Sequence, residues 1–286
     1  MNGTNGSAPH CYERGEGRPV VIVPGLGATA AFLEDTAERL ARSHRVLIVE
    51  LPGHGSSSGE TAAAGALGVD AAARRVLRGC EQLGLRDVTL LGWSLGATVA
   101  YSCLAQDRQS RFAALVSVEQ TPKLTMAQDW PHAAFGQLEP AGAAELAGSM
   151  VDDPAAFART LLGSSFAAGR EPDPGLLERL VAETLRCDPV AMAELLTDVA
   201  GQDWRERLPR TVDVPSLFIH GARSQIYPTA VGDWFAQTLT GSRLELFEES
   251  GHLPFVEEPQ RFADVVLKFI ADVAAPHLSV SIPGGE

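Results

Sequence analysis

The sequence predicts a doubly wound α/β fold, a mostly parallel sheet with helices on both faces and a helical cap inserted into it. Short apolar runs recur along the chain, longer helical patterns separate them, and one long stretch carries helical patterns with no strand between them. The runs are Pro19–Val23, Val46–Leu51, Val88–Gly92, Ala113–Val118, Ser216–His220 and Leu244–Phe247. They are continuously apolar rather than alternating, which is the signature of strands buried on both faces, as in a parallel sheet. The intervening helical patterns span Phe32–Arg42, Val69–Leu83, Leu95–Gln106, Ala230–Leu239 and Pro259–Val273. Strand and helix in alternation specify crossover connections and therefore parallel pairing.

The rhythm breaks between Thr121 and Leu208, a stretch of 88 residues. Helical patterns at Ala143–Met150, Pro154–Leu162, Gly175–Arg186 and Pro189–Val199 follow one another there, punctuated by Pro and Gly. A segment of that length is not a plain connection. It is expected to form a cap over the carboxyl ends of the strands, where open α/β sheets bind ligands. The expected organisation is a core at 11–120 and 209–275, a cap at 121–208, and flexible termini at 1–10 and 276–286.

Composition narrows the function. The chain has 286 residues, 45% of them hydrophobic, and a formal net charge of −13. Excess acid repels phosphate backbones and anionic lipid, so neither nucleic acid nor a membrane surface is an expected partner. Cys11, Cys80, Cys103 and Cys187 stand far apart, without a CxxC pair or a Cys/His cluster, so neither a zinc site nor a disulfide framework is expected. The first residues lack a basic and then apolar leader, and no run approaches the ~18 apolar residues of a membrane span. The expectation is a soluble cytoplasmic protein of unassigned oligomeric state, with no cofactor or metal, acting on a small molecule.

The most specific motif is Gly92-Trp93-Ser94-Leu95-Gly96, placed directly after a predicted strand and opening a predicted helix. G-x-S-x-G in that context raises a serine on a strained turn, with small neighbours to permit close packing. The turn also aims the Leu95 amide, at a helix N-terminus, toward a developing oxyanion. A serine needs a base to act as a nucleophile. His252, in Glu249-Ser250-Gly251-His252-Leu253-Pro254, follows the run Leu244–Phe247 and so faces the same rim as Ser94. Among the other histidines, His54 sits in a turn and reads as a loop-shaping residue, and His220 ends a strand and reads as a satisfied structural one.

These residues together resemble the α/β-hydrolase superfamily over about residues 18–273. Val23-Pro24-Gly25-Leu26-Gly27 resembles its oxyanion loop, Glu50-Leu51-Pro52-Gly53-His54-Gly55-Ser56 resembles its Asp-x-x-Gly-His-Gly-x-Ser turn, and the segment Gly251–Phe262 resembles its histidine loop and following helix. The resemblance implies that the Leu26 amide is a second oxyanion donor beside that of Leu95. It also implies a carboxylate in the turn after Ser216–His220, where this chain instead reads Gly221-Ala222-Arg223-Ser224-Gln225-Ile226-Tyr227-Pro228. Ser224 occupies the acid's place and carries no charge.

Glu119 ends the preceding strand, 25 residues beyond Ser94, and a subset of the superfamily places its acid there. Glu119 is the candidate acid. A pocket carboxylate that contacts substrate, or a solvent-facing strand end, are the other roles open to it, and Glu248 and Glu249 lie closer to His252 in sequence. The resulting expectation is a capped serine hydrolase of carboxylic esters, thioesters or lactones, using Ser94, His252 and Glu119. Trp93, Trp130 and Phe135 are expected to line a mostly apolar pocket, while Trp204 and Trp234 are assigned to packing. Two other functions remain open: a cofactor-independent dioxygenase or lyase on the same scaffold using the His252–Glu119 pair, and a slow-turnover binding protein like the hormone receptors of the superfamily.

Overall fold

The computed structural model describes residues 11–61 and 67–275. The expected loose termini, with His10 and His277, lie outside the described residues. Among the described residues seven strands form one sheet in the order β1-β3-β2-β4-β5-β6-β7. They are β1 (Cys11–Arg14), β2 (Pro19–Val23), β3 (Arg45–Val49), β4 (Val88–Trp93), β5 (Phe112–Val118), β6 (Ser216–Gly221) and β7 (Arg243–Phe247). All neighbours pair in parallel except β1, which runs antiparallel to β3. The sheet is thus mostly parallel, as the alternation predicts.

Continuous apolar strands arise because both faces are covered. Val20 and Ile22 of β2, with Val46 and Ile48 of β3, face a core shared with α1 (Glu34–Leu40) and α10 (Pro259–Ala274). Val21, Val23, Leu47 and Val49 face the opposite core, shared with α2 (Val69–Gln82), α3 (Leu95–Gln106) and α9 (Ala230–Thr238). In α2 the buried residues Val69, Ala72, Ala73, Val76 and Cys80 recur at helical spacing, leaving an outward polar face. In α3 every residue from Leu95 to Cys103 is buried, so the helix that carries the Ser94 turn is wedged in the core.

Between β5 and β6 the chain forms α4 (Pro140–Asp152), α5 (Pro154–Ser165), α6 (Pro174–Thr184), α7 (Pro189–Ala200) and the short α8 (Leu208–Thr211). The first four begin with proline, whose fixed φ and missing N–H suit the first helical position. Three are capped by the preceding aspartate: Asp153 accepts from Ala156 N–H at 3.0 Å, Asp173 from Leu176 N–H at 2.7 Å, and Asp188 from Val190 N–H at 2.8 Å. This segment is tied to loops at the carboxyl ends of the strands. Asp188 N–H bonds the Gly53 carbonyl at 2.8 Å after β3, and His252 N–H bonds the Ser165 carbonyl at 2.8 Å after β7.

The loop after β2 is held by the turn after β3. Glu50 is buried and accepts from Ala30 N–H at 2.8 Å and from Ser56 N–H at 2.9 Å. His54, fully buried, accepts from Gly27 N–H through Nε2 at 2.9 Å and donates through Nδ1 to the Pro52 carbonyl at 2.9 Å. A carbonyl only accepts and an amide only donates, so both bonds require the neutral ring with its proton on Nδ1. His54 therefore shapes a loop, as its turn suggests, and the loop it shapes carries Leu26.

Burial holds the His54 pKa down, from 6.5 to about 4. The unfolded chain takes up this proton near pH 6.5 and the folded chain only near 4, so stability is present above that window and is lost as pH falls through it. The shift corresponds to about 3 kcal/mol. Urea unfolding at several pH values should therefore show His54→Gln with a flatter loss of stability between pH 6.5 and 4 than the wild type. Parallel curves would exclude His54 as a source of acid instability.

Candidate active site

Ser94 sits between β4 and α3 with φ 52° and ψ −128°, a left-handed conformation that L-residues adopt only under constraint. The constraint is visible in its neighbours. A Cβ on Gly96 would stand 2.1 Å from the Val23 carbonyl oxygen, and one on Gly92 would stand 2.4 Å from Ala97 Cα. Glycine at both positions lets β4, α3 and the loop after β2 close on the turn. The Ser94 N–H bonds the Val118 carbonyl at 2.9 Å, leaving the side chain to face a cavity. Leu95 opens α3, so its amide has no acceptor within the helix and points from a positive helix end.

Glu119 follows β5 and also has a left-handed backbone, φ 47°. None of its surface is exposed. Its Oε2 accepts from His252 Nδ1 at 2.9 Å and from the Ser224 hydroxyl at 2.8 Å, while Oε1 accepts from Gly221 N–H at 2.8 Å. His220 Nδ1 lies 3.5 Å from Oε1, an electrostatic contact without hydrogen-bond alignment. Burial by itself would raise the carboxyl pKa, but its contacts with the two histidines outweigh burial and hold it well below the usual carboxylate range. The group is an ionised acceptor.

An ionised carboxylate at Nδ1 fixes the proton of neutral His252 on that nitrogen and leaves Nε2 as a base. The loop that carries the ring is anchored on both sides. Trp93 Nε1–H bonds the His252 carbonyl at 2.9 Å, and its indole lies 5.5 Å from the imidazole between ring centres. Glu257 accepts from Gly251 N–H at 2.7 Å and from Ala167 N–H at 2.9 Å, joining the histidine loop to the chain after α5. Glu248 and Glu249 are exposed, and Glu249 pairs with Arg223 at 2.9 Å, so neither approaches His252.

Ser94 and His252 line one cavity of about 760 Å³, its mouth included. Its wall is largely apolar and draws on α4, α5 and α7, with Leu146, Met150, Phe157, Leu161 and Leu196 among its residues. Leu26, Trp93, Leu95 and Phe135 also line it. Phe135 stands at the mouth, 38% exposed, with φ 53° and its N–H bonded to the Ile226 carbonyl at 2.7 Å.

Trp130 is a correction, because it does not reach the cavity. It is buried against Trp234, edge-to-face at 5.7 Å, and its Nε1–H bonds the Lys123 carbonyl at 2.9 Å. Periodicity cannot tell which side of an irregular segment an aromatic faces, and Trp130 belongs to the packing that Trp204 and Trp234 form. His220 is the second correction: rather than a satisfied structural residue, it lies beside Glu119. Ser224 is more than the vacancy left by an absent acid, since its hydroxyl holds Glu119. Tyr227, which also lines the cavity, gave no signal in the sequence beyond its place before Pro228.

The alpha/beta hydrolase fold family matches residues 18–259 of the chain. A pimeloyl-[acyl-carrier protein] methyl ester esterase of Neisseria meningitidis is 29% identical over 257 residues, covering 90% of this chain and 94% of that protein. One of Vibrio cholerae is 27% identical over 260 residues, covering 89% and 95%. Among solved structures, the esterase EaEST of Exiguobacterium antarcticum superposes with a TM-score of 0.84 at 25% identity, covering 92% of this chain and 95% of that one. Fold, elbow and family match agree: this chain belongs to the α/β-hydrolase fold family.

Proposed function

We propose that this α/β-fold esterase cleaves carboxylic esters of apolar, medium-sized acyl groups through Ser94, His252 and Glu119. The observation that carries the reading is the 2.9 Å bond between His252 Nδ1 and the buried Glu119 carboxylate, at a cavity that also exposes a strained serine. Nε2 of His252 takes the Ser94 proton as Oγ attacks the ester carbon. The oxyanion forms against the amides of Leu26 and Leu95, the latter at a helix N-terminus. His252 then delivers the proton to the departing alcohol, leaving an acyl-enzyme, and the same nitrogen activates the water that releases the acid. Glu119 orients the ring and stabilises the imidazolium without becoming protonated.

The apolar wall favours a hydrocarbon acyl chain over a charged one, because burying an uncompensated charge there is costly. The Neisseria and Vibrio relatives, named for a methyl ester of an acyl-carrier-protein-bound acid, support an ester rather than a thioester or lactone as the bond cleaved. The helices at 121–208 serve as the cap that sets acyl length.

Ser94→Ala should lower kcat by ~10³-fold or more and abolish labelling by a fluorophosphonate, with the fold intact. Turnover above about a tenth of wild type would eliminate an acyl-enzyme and leave proton abstraction by the His252–Glu119 pair, as in a dioxygenase or lyase. Glu119→Gln should cost up to ~10⁴-fold in kcat through the wrong tautomer, while Glu249→Gln stays within about twofold. A reversal of these two would move the acid elsewhere. Leu161→Trp should shorten the cavity, lowering kcat/KM for octanoyl esters about tenfold more than for acetyl esters. An unchanged ratio would place the acyl chain elsewhere.

A further inference from the structure

The turn 221–228 lacks the acid that the family resemblance puts there, yet it reaches both ends of the Ser–His–Glu relay. At one end the Gly221 N–H and the Ser224 hydroxyl hold Glu119, each at 2.8 Å. Ser224 Oγ also accepts from Tyr227 N–H at 3.2 Å, which fixes the backbone of that tyrosine relative to the carboxylate. At the other end the Tyr227 side chain lines the same cavity as Ser94 and lies beside it. The ring is buried, lines the cavity and stands edge-on to His252 at 5.6 Å between ring centres.

Strand order decides from which side this phenol meets Ser94. Ser94 follows β4, Leu26 follows β2 on one flank, and Tyr227 follows β6 beyond the other. The loop that carries Tyr227 therefore leaves the sheet on the flank opposite Leu26, the flank that His252 shares. A hydroxyl entering the cavity from that flank would meet the departing group of a bound ester rather than the carbonyl oxygen held at Leu26 and Leu95.

We infer that Tyr227 is a catalytic residue, its phenol turned toward Ser94 Oγ in the free enzyme and donating a hydrogen bond to the departing ester oxygen as the tetrahedral adduct on Oγ collapses to the acyl-enzyme. The inference rests on Ser94 as the nucleophile. In the step concerned, the Oγ–C bond forms and the bond from that carbon to the alcohol oxygen breaks. The serine proton travels through His252 Nε2 to the alcohol. Tyr227 transfers no proton; it stabilises negative charge on the leaving oxygen while His252 completes the transfer. Burial pushes the phenol's ionisation far upward, so it remains a donor at all working pH values.

The readout follows from where charge develops. A methoxide leaves with much charge on oxygen and needs the donor, whereas p-nitrophenoxide spreads its charge into the ring and does not. Tyr227→Phe should therefore lower kcat/KM for a methyl ester by ~10²-fold and for the p-nitrophenyl ester of the same acid by less than about threefold. Its thermal midpoint should match wild type, and a fluorophosphonate should still label Ser94. If Tyr227→Phe fails to fold, Tyr227→Met is read on the same pair of esters. Equal losses on both esters, no loss on either, or a gain in rate would overturn the proposal. Ser94→Ala measured alongside separates the two failures: residual turnover there removes the nucleophile itself, while a silent Ser94→Ala with a leaving-group-blind Tyr227 variant removes only the role of Tyr227.

Discussion

A carboxylate with no exposed surface keeps its charge only if its surroundings replace the water it has lost, and Glu119 sets that condition for the whole rim of the sheet. Its two oxygens have room for about four donors. Gly221 N–H, Ser224 Oγ and His252 Nδ1 fill three places, and the His220 ring lies against Oε1. These groups come from β6, the turn after it and the loop after β7, so one side chain gathers three consecutive carboxyl-terminal loops. Removing a partner would leave a buried charge short of a donor, a far larger penalty than losing a surface pair. The left-handed backbone at Glu119 is the local cost of turning the side chain inward, offset by the contacts it gains.

A second set of contacts couples that charge to the helices over the cavity. The Ser165 carbonyl at the end of α5 accepts from His252 N–H, and Glu257 bonds both Gly251 and Ala167. The histidine loop is thus clamped between the last helix region of the core and the segment that supplies Phe157, Leu161 and Leu162 to the cavity wall. Motion of α5 would displace the His252 backbone, so the shape of the cavity wall and the placement of the imidazole share one mechanical element. The Trp93 indole, bonded to the His252 carbonyl from below, fixes the same loop against the Ser94 turn.

How much of this was legible in sequence depended on whether the signal was local. The six apolar runs became strands because a parallel sheet buries both faces, and G-x-S-x-G marks its turn because the close approaches at Gly92 and Gly96 exclude any side chain. β1 gives no apolar run in the sequence: Cys-Tyr-Glu-Arg is short and polar, and as an edge strand it is held by pairing with β3, by ion pairs such as Arg45–Glu13 and by Tyr12 packed on the core. The starts of α4 and α6 lie earlier than hydrophobic periodicity suggests, because Pro140 and Pro174, not the first apolar residue, set the first turn. Glu119 could be named as a candidate from its strand-end position. Ser224 and Tyr227 offered no local signal, and His220 reads as a satisfied structural residue, because the partner each one meets lies more than 100 residues away in the chain.

The histidines show why that last gap is intrinsic. His54, His220 and His252 all lie near the carboxyl ends of strands and all are buried. His54 meets a carbonyl and an amide, neither of which changes charge, so both ring nitrogens are spent and the ring is locked neutral. His252 meets a carboxylate through Nδ1 and lines the cavity, so its ring is not locked between two neutral backbone partners. His220 stands at the same carboxylate but at 3.5 Å, with its ring 6.0 Å from Phe235, where it adds field to Glu119 without reaching the cavity wall. Residue type and strand position are common to all three. Function is divided among them by what each Nδ1 and Nε2 faces, which tertiary packing alone determines.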